Sequence, residues 1–137
     1  GQLDEANAIR ARRLAIFDRY AAGFADLEAA GRVRMPHAPD GVVGNGHMFY
    51  LLLRDVEDRD AFITHMRAAG IVTPFHYVPL HSAPAGLRYG RTDSTLPVTD
   101  DVSARLVRLP MFWSLDDAGV DQIIHTARDW LARSNQG

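Results

Sequence analysis

From Leu3 to about Ala30 the chain keeps one period. Apolar residues fall at Leu3, Ala6, Ile9, Leu14, Phe17, Tyr20, Phe24 and Leu27, in steps mostly of three or four and with no proline between them. Gly31 follows, a natural helix stop because glycine accepts the left-handed backbone that ends many helices. The pattern predicts a single helix, roughly 40 Å long at about 1.5 Å per residue. A chain of 137 residues is the size of one domain, and such a domain does not easily cover a rod of that length. The expectation is that the helix projects towards another domain, or that the chain is cut from a larger one.

The rest of the chain has the make-up of an ordinary globular protein. Hydrophobic residues are 47% and charged residues 23%, which argues against disorder, collagen and coiled coil. A net charge of −2 does not suggest a nucleic-acid or membrane-surface binder. No run is long and apolar enough to cross a bilayer, and the absence of a signal-peptide pattern at Gly1 predicts a cytoplasmic location. There is no cysteine, which removes disulfides, thiolate nucleophiles and sulfur-ligated zinc together. All 15 basic residues are arginine. With no lysine, no side-chain amine can form a Schiff base with a carbonyl compound.

Beyond the helix, Arg32 to Met35 alternates polar and apolar, as a short strand does. Pro36, Pro39, Asp40-Gly41 and Gly44-Asn45-Gly46 punctuate a loop. His47 to Arg54, HMFYLLLR, predicts a strand buried on both faces. Asp58 is placed to cap a helix running to Ala69, with Phe62, Ile63, Met66 and Ala69 inward and Gly70 as the stop. Ile71 to Thr73 predicts a short strand. Pro74 to Thr99 has no periodicity, and irregular segments of that length tend to be functional or mobile. Thr99 would cap a short helix, and Leu109 to Phe112 would be a strand or an extended turn. Ser114-Leu115-Asp116-Asp117 fits a capping box ahead of a last helix, whose inward face carries Val120, Ile123, Ile124, Ala127, Trp130 and Leu131. The predicted class is α+β: a small antiparallel or mixed sheet with helices packed on one side, preceded by the long helix.

Candidates for chemistry are few. His76 and His81, in FHYVPLHSAPAG, have a His-x4-His spacing stiffened by prolines, which would aim two imidazoles at one ligand. A metal site would want a third ligand on rigid structure, and none is evident. His47 opens the buried strand and reads as a satisfied core histidine, while His65 and His125 read as helix-surface residues. Ser82 and Ser114 have no nucleophile-elbow context, and no glycine-rich phosphate loop follows a strand. The acid pairs Asp100/Asp101 and Asp116/Asp117 sit at predicted helix starts, where the helix dipole accounts for them.

Several segments taken together carry a family resemblance. GHMFYLLLRD, TPFHYVPLHSAPAGLRYG and LVRLPMFWSL resemble, in order and spacing, the C-terminal part of the sugar-nucleotide aminotransferases of the DegT family. NAIRARRLAIFDRY is similar to the long connecting helix of that family. Within the family the resemblance is to the WecE type, which aminates a dTDP-4-keto-6-deoxy sugar at C4. It implies the small domain of a fold type I enzyme, with residues 1–31 as connecting helix and 32–137 as the C-terminal α+β domain. It further implies pyridoxal phosphate in the whole enzyme, L-glutamate as amino donor, a sugar-nucleotide acceptor and a homodimer. The domain that would carry the Schiff-base lysine lies outside this chain. No catalytic, cofactor-binding or metal residue is carried over. His76, Tyr77 and His81 are the implied substrate-binding residues, since imidazole and phenol can hydrogen-bond sugar hydroxyls or a diphosphate. Arg88 and Arg91 are weaker phosphate candidates. Two other readings stand beside this one: a free-standing α+β module that binds a small molecule, and a histidine-dependent metal enzyme.

Overall fold

The computed structural model describes residues 5–42, 44–92 and 95–133. Its first element, α1, spans Ala6–Ala29, so the expected start at Leu3 lies outside the described residues. The helix ends as glycine dictates. Gly31 sits at φ +69°, the Arg32 amide reaches back to the Leu27 carbonyl at 2.8 Å, and the Gly31 amide reaches Glu28 at 2.8 Å. Those two bonds satisfy carbonyls that the helix end would otherwise leave bare.

The sheet is small and antiparallel throughout. β1 (Phe49–Leu52) pairs with β2 (Leu106–Leu109), with Phe49 opposite Leu109 and Tyr50 opposite Arg108. Arg34 adds a bridge to Leu52 on one side, and Phe75 adds one to Val107 on the other. The expected strand at Arg32 to Met35 is therefore a single bridge. The strand expected at Ile71 to Thr73 does not form, and the chain meets the sheet only at Phe75. The strand expected at Leu109 to Phe112 lies earlier, at Leu106–Leu109, because Pro110 cannot donate to a ladder. In β1, Phe49, Leu51 and Leu52 are buried and Tyr50 is half-buried, close to the two-sided burial expected.

α2 (Val56–Ala68) is capped by Asp55, whose carboxylate accepts the Asp58 amide at 2.8 Å. The cap is three residues earlier than expected, and Asp58 supplies the capped amide instead of the cap. Gly70, at φ +77°, closes this helix in the same manner as Gly31. The segment after Pro74 holds two helices. α3 (Pro84–Tyr89) and α4 (Pro97–Arg105) each begin on a proline, whose missing amide costs nothing in a first turn. The start of α4 is thus Pro97, with Thr99 inside the helix. α5 (Asp117–Arg133) is capped by Asp116, which accepts the Gly119 amide at 2.8 Å, and not by Ser114.

The core lies between α1, the sheet and α5. Tyr20 and Phe17 meet the Phe49 ring at 5.1 and 5.0 Å between centroids, and Phe62 of α2 meets Trp130 of α5 edge-on at 5.4 Å. Val120, Ile123, Ala127 and Leu131 face inward from α5. α1 is also fastened to α5 at its rim. Arg128 holds Asp26 through two nitrogens at 2.6 and 2.7 Å, Arg19 grips Asp121 at 2.6 Å, and Arg12 reaches Asp117 at 2.7 Å and the Leu115 carbonyl. The domain covers Ile16, Tyr20 and Phe24 fully, so it holds more of the rod than length alone suggests, while Ala6 to Ala8 stay exposed. No helix among the described residues is long and apolar enough to cross a membrane.

Candidate functional site

An open cleft of about 950 Å³ lies at the end of the sheet where β2 runs out. Its floor is apolar, formed by Leu109 at the end of β2, Pro110 to Phe112 after it, Leu115 just ahead of α5 and Ile123 within that helix. The loop that leaves α2 forms one wall. The backbone fixes that wall to the sheet: the Arg108 amide donates to the Pro74 carbonyl at 2.9 Å, and Phe75 bridges Val107. The next two residues, His76 and Tyr77, are therefore set beside β2 at the cleft edge.

His76 and Tyr77 pack ring edge to face, with centroids 4.9 Å apart and planes at 62°. The Arg108 guanidinium lies 5.6 Å over the Tyr77 ring. His76 Nδ1 and Arg108 Nε are both buried without a hydrogen-bond partner. A polar atom removed from water and left unpaired carries a free-energy cost, so these two atoms mark the part of the cleft most in need of a ligand. The lining contains His47, His76 and Arg108 and no aspartate or glutamate.

The third expected site residue lies elsewhere. His81 Nε2 meets Asp100 Oδ1 at 2.8 Å, and its side chain is 15% exposed. It lines a separate depression of about 460 Å³ with Leu87, Arg91 and Thr99. The structure thus brings His76 and Tyr77 together and parts them from His81. Gly86 makes this arrangement possible, because a Cβ there would fall 1.5 Å from the Leu80 carbonyl oxygen. Arg88 stacks on its neighbour Tyr89 at 5.1 Å, away from the main cleft.

His47 departs from the sequence expectation. It is exposed, precedes β1, and its Nδ1 lies 2.7 Å from Asn45 Oδ1. The strand starts two residues later than expected because Gly46, at φ +61°, turns the chain against the Arg13 backbone. His65 is half-buried between α2 and α5, with a ring nitrogen 3.2 Å from the Thr126 carbonyl, while His125 is exposed as expected. Among the described residues no group of three or more metal-ligating side chains comes together. Arg108 is the site residue that sequence reasoning missed. Its signal was present: it is the sole charged residue in the apolar run LVRL.

Sequence and fold comparison agree on the class of protein. The chain belongs to the DegT/DnrJ/EryC1/StrS aminotransferase family, whose pattern matches residues 1–128. It is 38% identical over 93 residues to dTDP-4-dehydro-2,3,6-trideoxy-D-glucose 4-aminotransferase of Saccharopolyspora spinosa, covering 68% of this chain and 23% of that protein. It is 29% identical over 133 residues to dTDP-3-amino-3,4,6-trideoxy-alpha-D-glucose transaminase of Micromonospora megalomicea subsp. nigra, covering 93% of this chain and 34% of that one. A sugar aminotransferase of Streptococcus pneumoniae, solved in PLP and PMP forms, shares the fold with a TM-score of 0.77 at 28% identity. That match covers 96% of this chain and 33% of the solved one. The chain therefore spans about a third or less of the length of these relatives, and its fold is part of a fold type I aminotransferase.

Solved structures of this fold hold pyridoxal or pyridoxamine phosphate, and the residues of this chain do not fit that group by themselves. There is no lysine to bind it covalently. The cleft lining has no carboxylate to pair with a pyridinium nitrogen.

Proposed function

We propose that this chain is the C-terminal part of a sugar-nucleotide aminotransferase, with residues 1–31 as connecting helix and 32–137 as its small domain. The whole enzyme passes an amino group from L-glutamate to C4 of a dTDP-4-keto-6-deoxy sugar, works as a homodimer and resides in the cytoplasm. Pyridoxal phosphate carries the amino group between the two substrates and is held by the remainder of the enzyme. The observation that carries this reading is the His76–Tyr77 pair, positioned by the β2 ladder at the rim of an apolar cleft in a chain of this family. Both side chains can hydrogen-bond a sugar or a diphosphate without placing a fixed charge there. His81 is assigned to the same substrate from its neighbouring depression, with Asp100 orienting its ring. Preference for C4 is supported by the 4-aminotransferase relative. The 3-amino relative makes the position of amination the point to test.

The chain on its own supplies neither an amine nor an enclosing site, so it is inactive alone. Residues 1–137 incubated with pyridoxal phosphate, L-glutamate and a dTDP-keto sugar will give no aminated sugar. Transamination by this polypeptide alone would overturn the assignment. So would a coding sequence with no lysine-bearing region ahead of residue 1.

A further inference from the structure

Arg108 is a cation in an unusual position. Its strand neighbours Leu106, Val107 and Leu109 are buried, and a charge among them is costly unless something answers it. Arg12, Arg19, Arg54, Arg59, Arg105 and Arg128 each hold an aspartate within 4 Å. No such partner meets Arg108 among the described residues, and its Nε is buried and unpaired. The cleft it lines brings no carboxylate to it. In the depression behind β1, by comparison, Arg32, Arg34, Arg54 and Arg105 have Glu28 and Asp58 beside them. Arg32 Nη1 and Arg105 Nε are buried without a partner there too, so what distinguishes the Arg108 cleft is its lack of any carboxylate.

Two further features give Arg108 a direction. Tyr77 lies under the guanidinium at 5.6 Å, and an aromatic face orients an arginine and strips water from one side of it. His76, packed on the same tyrosine, has a buried and unpartnered Nδ1. The wall of the cleft thus carries an oriented planar cation and an imidazole nitrogen, both without protein acceptors, above an apolar floor. A planar guanidinium binds best a group that presents two oxygens at once, a carboxylate or a phosphate.

We propose that Arg108 and His76 form an oxyanion subsite of this cleft, with Arg108 donating to two oxygens of a carboxylate or phosphate and His76 Nδ1–H donating to the same group. In the enzyme proposed above, the oxyanion would come from the amino donor's carboxylate or from the diphosphate of the sugar nucleotide. That assignment rests on the aminotransferase reading, whereas the anion binding itself does not.

The test is a titration of residues 1–137, labelled with ¹⁵N, against glutarate and separately against inorganic pyrophosphate. The Arg108 Nε–Hε signal and the His76 ring nitrogens should shift together and saturably with at least one of them. Saturation by glutarate assigns the donor's carboxylate, and saturation by pyrophosphate assigns the diphosphate. Arg108→Met should weaken that binding about tenfold or more, the share of one hydrogen bond to a charged group. Arg108→Lys, which keeps the charge and the strand, should weaken it several-fold, and Arg54→Met, at an exposed arginine outside the cleft, should leave it unchanged. Absence of a saturable shift with both anions would overturn the subsite. Binding that survives both Arg108 substitutions, or that falls equally with Arg54→Met, would also overturn it. A failure of transamination in the whole enzyme would leave this result standing and would count against the function alone.

Discussion

The hydroxyl of Tyr20, on a side chain fully buried in the middle of α1, donates to the carbonyl of Pro110 at 2.8 Å. Pro110 belongs to the floor of the cleft. One hydrogen bond therefore ties the long helix to the loop that shapes the candidate site. Tyr20→Phe should keep the tilted ring contact with Phe49 and lose only this bond, leaving a carbonyl unpaired. The expected cost is about 1–3 kcal/mol by urea unfolding. Burial also raises the ionisation of Tyr20 above the ordinary phenol range. Its contribution is thus complete below the unfolded phenol value and is lost as pH climbs towards the folded one. Alkaline unfolding should start at lower pH for the wild type than for Tyr20→Phe. Identical stability of the two proteins at neutral pH would remove the strut from the account.

The pair Asp26–Arg128 fastens the far end of the same helix to α5. Hydrogen bonding from Arg128 lowers Asp26 to about 2, against the opposing effect of desolvation. A depressed carboxylate contributes stability that is present above its unfolded value and is lost as pH falls through the folded one. The expected window therefore runs from the ordinary aspartate value near 3.8 down to about 2. Asp26→Asn should flatten the acid limb of the Tm-versus-pH profile in that window by lowering Tm slightly above it, where the paired carboxylate contributes, and should match wild type below it. The loss is small because both side chains are solvent-facing. An unchanged acid limb would show that the pair contributes nothing.

Much of the fold was legible in the sequence because its strongest signals are local. Gly31 and Gly70 end α1 and α2 where they should, since a left-handed residue is needed at each place and glycine adopts it freely. The inward residues of α5 follow the helical period. The misses have physical reasons. Asp55 and Asp58 are both good caps, and only the direction of the chain leaving β1 decides between them. Pro84 and Pro97 read as breaks in an irregular segment, yet each opens a helix in the one position where proline is welcome. Of the candidate site, His76 and Tyr77 were readable from their motif. The separation of His81 was not, because it depends on the close approach of Gly86 to Leu80. Arg108 needed the strand pairing to place it at the cleft.

His76 should matter to one half of the proposed reaction more than the other. In the whole enzyme, His76→Ala should slow the step that consumes the keto sugar several-fold or more, the share of at least one hydrogen bond of about 0.5–1.5 kcal/mol. Where pyrophosphate and not glutarate saturates the Arg108–His76 subsite, the glutamate step, which needs only the amino donor and the cofactor, should stay near wild type. Each half can be followed separately through the cofactor's absorbance. Equal damage to both in that case would move His76 to a structural role. No effect on either would take the HYVPLH segment out of the substrate pocket.

The most direct test of the central claim uses the protein encoded by the complete reading frame that contains this chain. It is supplied with pyridoxal phosphate, L-glutamate and dTDP-4-keto-6-deoxyglucose, and the sugar product is read by NMR. The account predicts a dTDP-amino sugar with nitrogen on C4 and 2-oxoglutarate in equal amount. Nitrogen on C3 would contradict the assigned position. Failure to aminate this or any other keto sugar nucleotide, from a protein that does take up the cofactor, would contradict the account itself.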